Sequence, residues 1–179
     1  MDITQEHVIL VDENDRQIGT CEKLEAHQKG LLHRAFSVFL FNSKGELLIH
    51  QRADQKYHTG GLWSNTCCSH PAPDEPIEEG IRRKLIQEMG INTPVKKMFE
   101  FSYSAKFDNG LTENELDYVY FGEYNEAPNP NPEEVQAWKY SSFEEIKKEV
   151  RNDESRFTPW FKMLLKKVEE HYYKTTGRG

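Results

Sequence analysis

Residues 69–91 read Ser69-His70-Pro71-Ala72-Pro73-Asp74-Glu75-Pro76-Ile77-Glu78-Glu79-Gly80-Ile81-Arg82-Arg83-Lys84-Leu85-Ile86-Gln87-Glu88-Met89-Gly90-Ile91. Ile77, Ile81, Leu85 and Met89 recur every four residues, with Ile86 beside them, so one stripe of a helix is apolar and the remainder charged. Pro71 and Pro73 stiffen the approach. Asp74 is the expected N-cap, with acidic residues following in the first turn, and Gly90 the residue that closes the helix.

Around this helix the chain is mostly strand. His7–Val11 is a short apolar run, and Gln17–Cys21 continues it as an edge hairpin. Glu22–Lys29 predicts a short helix stopped by Gly30. Ala35–Phe41 is dense in β-branched and aromatic residues, which predicts a central strand, and the turn Asn42–Gly45 leads to its partner, Glu46–Arg52. A polar loop over 53–61 ends in Gly60-Gly61, and a short segment, Leu62–Cys68, follows. Beyond the long helix come strands over Val95–Lys106 and Thr112–Tyr124, joined by an Asn109-Gly110 turn, then a proline-containing loop and a strand over Val135–Tyr140. Ser142-Phe143-Glu144-Glu145 is a capping box opening a helix to about Val150. Thr158-Pro159 opens the last helix, which is expected to end near His171. Strands interrupted by one long helix and closed by two more predict an α/β (α+β) fold with helices packed on a curved mixed sheet. Its 179 residues suit one domain over 1–174, with 175–179 as a flexible tail.

The net charge of −7 argues against nucleic acid or an anionic membrane as a bulk partner, while leaving room for a locally basic cleft that takes a small anion. No secretory signal and no apolar run near 18 residues is present, so no membrane association is expected. Three cysteines, two of them adjacent (Cys67, Cys68), make a poor disulfide framework and predict reduced thiols in the cytoplasm.

Trp63-Ser64-Asn65-Thr66-Cys67-Cys68-Ser69-His70-Pro71 puts a thiol two residues before an imidazole. Of seven histidines, His7 and His171 lie near the ends, and His50 and His58 lie in or beside polar segments and are read as uninvolved. His27, His33 and His70 each sit at an element boundary. Glu113 and Glu115, two apart on a strand, point to one face. Two carboxylates that close repel unless a cation lies between them. Three imidazoles with two carboxylates form a nitrogen/oxygen set suited to Zn²⁺, Mn²⁺ or Mg²⁺. Taken singly, each histidine also reads as an ordinary hydrogen-bonded boundary residue, and the glutamate pair as a solvated strand beside a turn.

The spacing of Ser69, Glu75, Arg83, Lys84, Leu85, Gln87, Glu88, Gly90 and Ile91 resembles a degraded Nudix box, G-x5-E-x7-R-E-U-x-E-E-x-G-U. The leading glycine is Ser69, and two glutamates of the hydrolase cluster are replaced by Lys84 and Gln87. The resemblance extends along nearly the whole chain to the type 1 isopentenyl-diphosphate isomerase family of Nudix-fold enzymes. It is carried by Glu22-Lys23 with Ala26-His27, by Leu32-His33-Arg34-Ala35-Phe36, by the Trp63–Pro71 stretch, by Glu88-Met89-Gly90, by Glu113-Asn114-Glu115 and by Thr158-Pro159-Trp160.

The resemblance implies a Nudix-like fold and the conversion of isopentenyl to dimethylallyl diphosphate through a tertiary carbocation. Cys68 and Glu115 would be the proton-handling pair, with Tyr103 beside Glu115 and the Trp160 ring facing the cation. His27, His33, His70, Glu113 and Glu115 would hold one divalent metal (Mn, Zn or Mg), and Glu88 a second ion, Mg²⁺, against the diphosphate. Lys23, Arg52 and Lys56 would contact the diphosphate, as would Lys84, which aligns where the family often has arginine. The expected partner is thus a small isoprenoid diphosphate, and the expected state a monomer or weak dimer. The neighbouring Cys67 is expected to face away. A Nudix-type hydrolase of a diphosphate is the alternative.

Overall fold

A computed structural model of the chain describes residues 6–56 and 58–178. The strands are β1 (His7–Val11), β2 (Gln17–Glu22), β3 (His33–Phe41), β4 (Leu47–Arg52), β5 (Trp63–Ser64), β6 (Cys67–Ser69), β7 (Val95–Lys106), β8 (Thr112–Glu123) and β9 (Val135–Ser141). The helices are α1 (Lys23–Lys29), α2 (Ile77–Lys84), α3 (Phe143–Asn152) and α4 (Pro159–Thr176). All nine strands join one mixed sheet. β3 is its axis: β8 runs parallel to it from His33↔Glu115 to Phe41↔Glu123, and β1, β4 and β6 pair with it antiparallel.

The alternation of strand side chains divides the core in two. Phe36, Val38, Leu40, Leu48 and Cys67 pack with Ile81, Leu85 and Met89 of the long helix. Phe39, Phe41, Leu47, Ile49, Val119 and Phe121 pack with Phe143, Ile146, Phe161 and Leu164 of α3 and α4. β3 and β4 pair only at Phe41↔Leu47 and then splay. β6 lies along β3 and β5 along β4, so the expected single segment Leu62–Cys68 is two short strands lining the mouth of the splay.

The long helix differs from expectation at both ends. It begins at Ile77 behind Pro76, while Asp74 sits in a left-handed turn (φ 62°) and caps nothing. Pro76 lacks an N–H and holds its predecessor extended, so the helix cannot start earlier. Glu75, left outside, accepts both Nε and Nη2 of Arg83 at 2.9 Å. The last turn, Leu85–Met89, is wound as a π-helix, a distortion common at functional sites. The chain then crosses the 125–132 loop so closely that a Cβ on Gly90 (φ 65°) would lie 2.4 Å from Asn129 O. Asn129 and Asn131 N–H groups donate to Met89 O and Glu88 O here. Gly90→Ala is therefore expected to cost about 3 kcal/mol from left-handed strain and the backbone clash, read as a lowered midpoint in urea unfolding.

The capping box at Ser142 forms as expected. α4 runs past His171 to Thr176 and ends in a left-handed Gly177. The extension is anchored by Tyr172, which is buried and stacks on Phe41 with ring centroids 4.2 Å apart. Thr175 and Thr176, expected in a tail, thus form the final helical turn. Among the described residues, no helix is long and apolar enough to cross a membrane.

Candidate active site

The register of three strands assembles the centre. His33 lies opposite Glu115 across β3–β8, Ser37 opposite Cys68 across β3–β6, and Tyr103 opposite Glu115 across β7–β8. Paired residues share a face, and so do residues two apart, so His33, Ser37, Cys68, Tyr103, Glu113, Glu115 and Asp117 all project to one side. His70, just past β6, and His27, on α1, close the group.

His27 Nδ1–H donates to Lys23 O at 2.6 Å, and His33 Nδ1–H to Leu31 O at 2.8 Å. Each bond fixes a tautomer whose Nε2 carries a lone pair. His33 Nε2 lies 3.2 Å from His70 Nε2, and Glu115 Oε1 lies 2.9 Å from His70 Nε2 and 3.4 Å from His33 Nε2. One ligand atom from each of His27, His33, His70 and Glu115 falls within 4.8 Å of the others, and the same holds for His27, His58 and Glu113. Imidazole lone pairs converging with buried carboxylates fit a divalent cation. The electrostatics agree. Burial and the neighbouring Glu115 push Glu113 well above the carboxylate range. Burial acts on Glu115 the same way, but His33 and His70 overcome it and hold Glu115 well below that range. Burial keeps His70 neutral, down to about 3.

Cys68 is held from the other side. Its thiol lies 2.9 Å from Asn65 Oδ1 and 3.5 Å from Ser37 Oγ. Asn65 is itself locked, its amide donating to Val38 O and Cys67 O and its Oδ1 accepting from Ser64 Oγ. Ser64 Oγ also accepts Trp160 Nε1–H at 2.9 Å, so one hydrogen-bond chain orients both thiol and indole. Burial, with the nearby Asp117, pushes the thiol up to about 12. Burial together with Glu113 and Glu115 also raises the Tyr103 hydroxyl above its ordinary range. Cys67 points the opposite way, its thiol 3.6 Å from Glu88 Oε2.

A cavity of about 410 Å³ opens beside these groups and is also lined by Lys23, Arg52, Lys56, Lys84 and Glu88. Its cations lean on internal carboxylates. Glu6 pairs with Lys23 at 3.0 Å and with Lys84 at 3.5 Å, and Lys56 pairs with Glu134. The Arg52 guanidinium lies 5.5 Å from the Trp160 ring centroid, and its buried Nε has no hydrogen-bond partner among the described residues. Burial alone would raise Glu6, but the two lysines lower it to about 2. The depressed value gives stabilisation that is complete above the unfolded carboxyl value and is lost as pH falls through about 2. Glu6→Gln is thus expected to be less stable than the parent at neutral pH, with the gap closing as pH falls from 4.5 towards about 2; denaturant unfolding at stepped pH reads it.

Residues 31–161 match the NUDIX domain. The chain is 47% identical over 165 residues to the isopentenyl-diphosphate Delta-isomerase of Pectobacterium atrosepticum, covering 92% of each chain. It is 45% identical over 164 residues to isopentenyl-diphosphate Delta-isomerase 2 of Aromatoleum aromaticum, covering 92% of this chain and 87% of that one. The chain belongs to the isopentenyl-diphosphate Delta-isomerase family. Its Nudix fold is shared with DR0079 from Deinococcus radiodurans (TM-score 0.73, 18% identity, 90% of this chain and 98% of that one) and with the MutT protein of Methanosarcina mazei (0.64, 17%, 79% and 95%).

Several residues at and around the centre, among them His58, Asp117, Ser37 and Glu6, are not marked by the sequence reading. His58, read as idle beside a polar segment, has its Nε2 2.5 Å from Glu113 Oε1. Asp117 accepts from Ser37 Oγ at 2.6 Å, beside the Cys68 thiol, and burial pushes it well above the carboxylate range. Its signal was available: it continues the two-residue period of Glu113 and Glu115. Glu6 and His58 carry no comparable periodic mark. His50 is structural, its ring 2.6 Å from Asn65 O.

Proposed function

We propose that the protein interconverts isopentenyl and dimethylallyl diphosphate. One observation carries this reading: a thiol, a cluster of imidazoles and carboxylates, and a group of cations meet at a single cavity.

The substrate is an anion with a short apolar tail, and the cavity divides accordingly. Lys23, Arg52, Lys56 and Lys84 would take the diphosphate, exchanging Glu6 and Glu134 for its oxygens. Glu88, in the π-helical turn, would add a ligand for a Mg²⁺ carried with the diphosphate. The tail would then lie between Cys68 and Glu115, under Trp160 and Tyr103.

An unactivated alkene is a very weak base, so its protonation needs a positioned acid, and loss of the second proton needs a positioned base. Because isomerisation is reversible, both Cys68 and Glu115 must give up a proton and take one back. Asn65 and Ser37 hold the thiol in place for this. Tyr103, opposite Glu115 across β7–β8, would set its hydroxyl beside the Glu113 and Glu115 carboxylates and help orient them. With water excluded by bound substrate, the Trp160 face would stabilise a tertiary cation by up to about 2 kcal/mol, and the same exclusion would keep water from trapping the cation as an alcohol. A divalent metal bound by His27, His33, His70, Glu113 and Glu115 would fix Glu115 and tune its proton affinity. The donor set suits Mn²⁺ or Zn²⁺, with Mg²⁺ also accommodated.

Hydrolysis of a diphosphate is disfavoured, because Lys84 and Gln87 stand where the hydrolase motif has glutamates. Incubation with isopentenyl diphosphate, and separately with nucleoside diphosphates, tests the reading. Dimethylallyl diphosphate from the first and no phosphate from the second is expected. Phosphate release without dimethylallyl product would overturn it.

A further inference from the structure

The loop between β4 and β5 folds back on itself tightly. A Cβ on Gly60 would lie 2.4 Å from Asp54 O, and Thr59 (φ 52°) and Gly61 (φ 78°) take left-handed backbone. This conformation aims His58 inward, where it is only 8% exposed. Its ring rests against Phe107 and Trp160, with centroids 5.0 and 6.0 Å away. Arg52 Nη2 donates to His58 O at 3.4 Å and faces the ring Nδ1 at 3.5 Å. A donor facing Nδ1 assigns that nitrogen the lone pair, so the ring proton sits on Nε2 and is donated to Glu113 Oε1 at 2.5 Å. His27, His33, His70, Glu113 and Glu115 all sit on or beside regular elements. His58 comes from the middle of the loop between β4 and β5, and that loop also carries Lys56.

We propose that His58 couples the metal centre to the diphosphate cations: its donated hydrogen bond fixes Glu113 for the metal, and the metal so held keeps loop 53–62, with Lys56, in place over the cavity. The inference deepens the metal-centre reading above and rests on it. Outer hydrogen bonds of this kind orient a ligating carboxylate, and their loss typically costs 10–100-fold in metal affinity. The coupling is reciprocal, so metal should tighten diphosphate binding and diphosphate should tighten metal binding.

The test is a Mn²⁺ titration against a competing chelator, together with inorganic pyrophosphate affinity measured with and without Mn²⁺. Both are run on the parent, His58→Phe and His58→Gln. Phe keeps the packing against Phe107 and Trp160 but removes the donor. Gln offers an amide N–H near the position of Nε2. Phe is expected to weaken Mn²⁺ binding about 10–100-fold and to abolish the metal-dependent gain in pyrophosphate affinity, and Gln to restore most of both. Should the Phe variant not fold, His58→Ala carries the same expectation. Parent-like Mn²⁺ affinity in the Phe or Ala variant, or a metal-dependent gain that persists in it, would overturn the proposal. A parent chain that binds no divalent metal would overturn the metal-centre reading itself, and the proposal with it.

Discussion

Cys68→Ala is expected to lower turnover of isopentenyl diphosphate by about 10⁴-fold, at the upper end of what a positioned acid or base contributes, with fold and metal content retained. The magnitude follows from the substrate. Protonation of an alkene carbon needs an acid held against it, and in a cavity whose lining includes Cys68, Ser37, Phe36 and Trp160 the thiol is placed to supply it. Fold should survive because Cys68 is a small side chain whose polar contacts, Asn65 Oδ1 and Ser37 Oγ, keep other partners: Ser64 donates to the first and Asp117 accepts from the second. Metal should survive because Cys67 and Cys68 lie outside the imidazole–carboxylate groups. Cys68→Ser separates positioning from proton affinity: the hydroxyl can keep the bond to Asn65, yet it is a much weaker acid than a thiol, so turnover should stay low. Steady-state turnover and metal analysis on the same samples read both parts. Parent-like turnover in the alanine variant would remove Cys68 from the chemistry.

His70→Asn is expected to lose metal and turnover together. The three expected imidazole ligands form a triangle, with the His70 ring centroid 4.9 Å from His33 and 5.8 Å from His27, and His70 Nε2 contacts Glu115 at 2.9 Å. Asn cannot extend a nitrogen to the same place. The loss in affinity should exceed the roughly 100-fold ceiling for partners that only orient a ligand. Glu115 then loses the histidine that helps hold it ionised, so the defect reaches proton transfer as well as metal binding. Full metal occupancy in this variant would count against His70 as a ligand.

Much of this centre follows from local pattern. The two-residue period places Glu113 and Glu115 on one face and sets Cys67 and Cys68 on opposite ones, and both occur. The four-residue period of Ile77, Ile81, Leu85 and Met89 marks the helix that covers the other core. What local pattern could not give are the features fixed by distant partners. The π-helical turn at Leu85–Met89 goes with the hydrogen bonds from Asn129 and Asn131 to that turn. The parallel pairing of β3 with β8, which brings His33 to Glu115, joins segments about 80 residues apart. His58 reaches Glu113 because Gly60 and Gly61 let a polar loop double back, and nothing in its flanking residues distinguishes it from an exposed histidine. Lys23 and Lys84 were legible as cations, but their shared partner Glu6 was not. The misplaced cap at Asp74 has a local cause that the apolar stripe obscured: Pro76 sets the first turn, and Asp74 lies too far before it.

The central claim is reversible proton exchange at carbon with the diphosphate left intact. Incubating the protein with isopentenyl diphosphate and Mn²⁺ in D₂O, and following the products by NMR, tests it most directly. Dimethylallyl diphosphate carrying solvent deuterium in a methyl group, absent with Cys68→Ala, is the predicted result. Unlabelled isopentenyl diphosphate recovered unchanged, or inorganic phosphate without any dimethylallyl product, would contradict it.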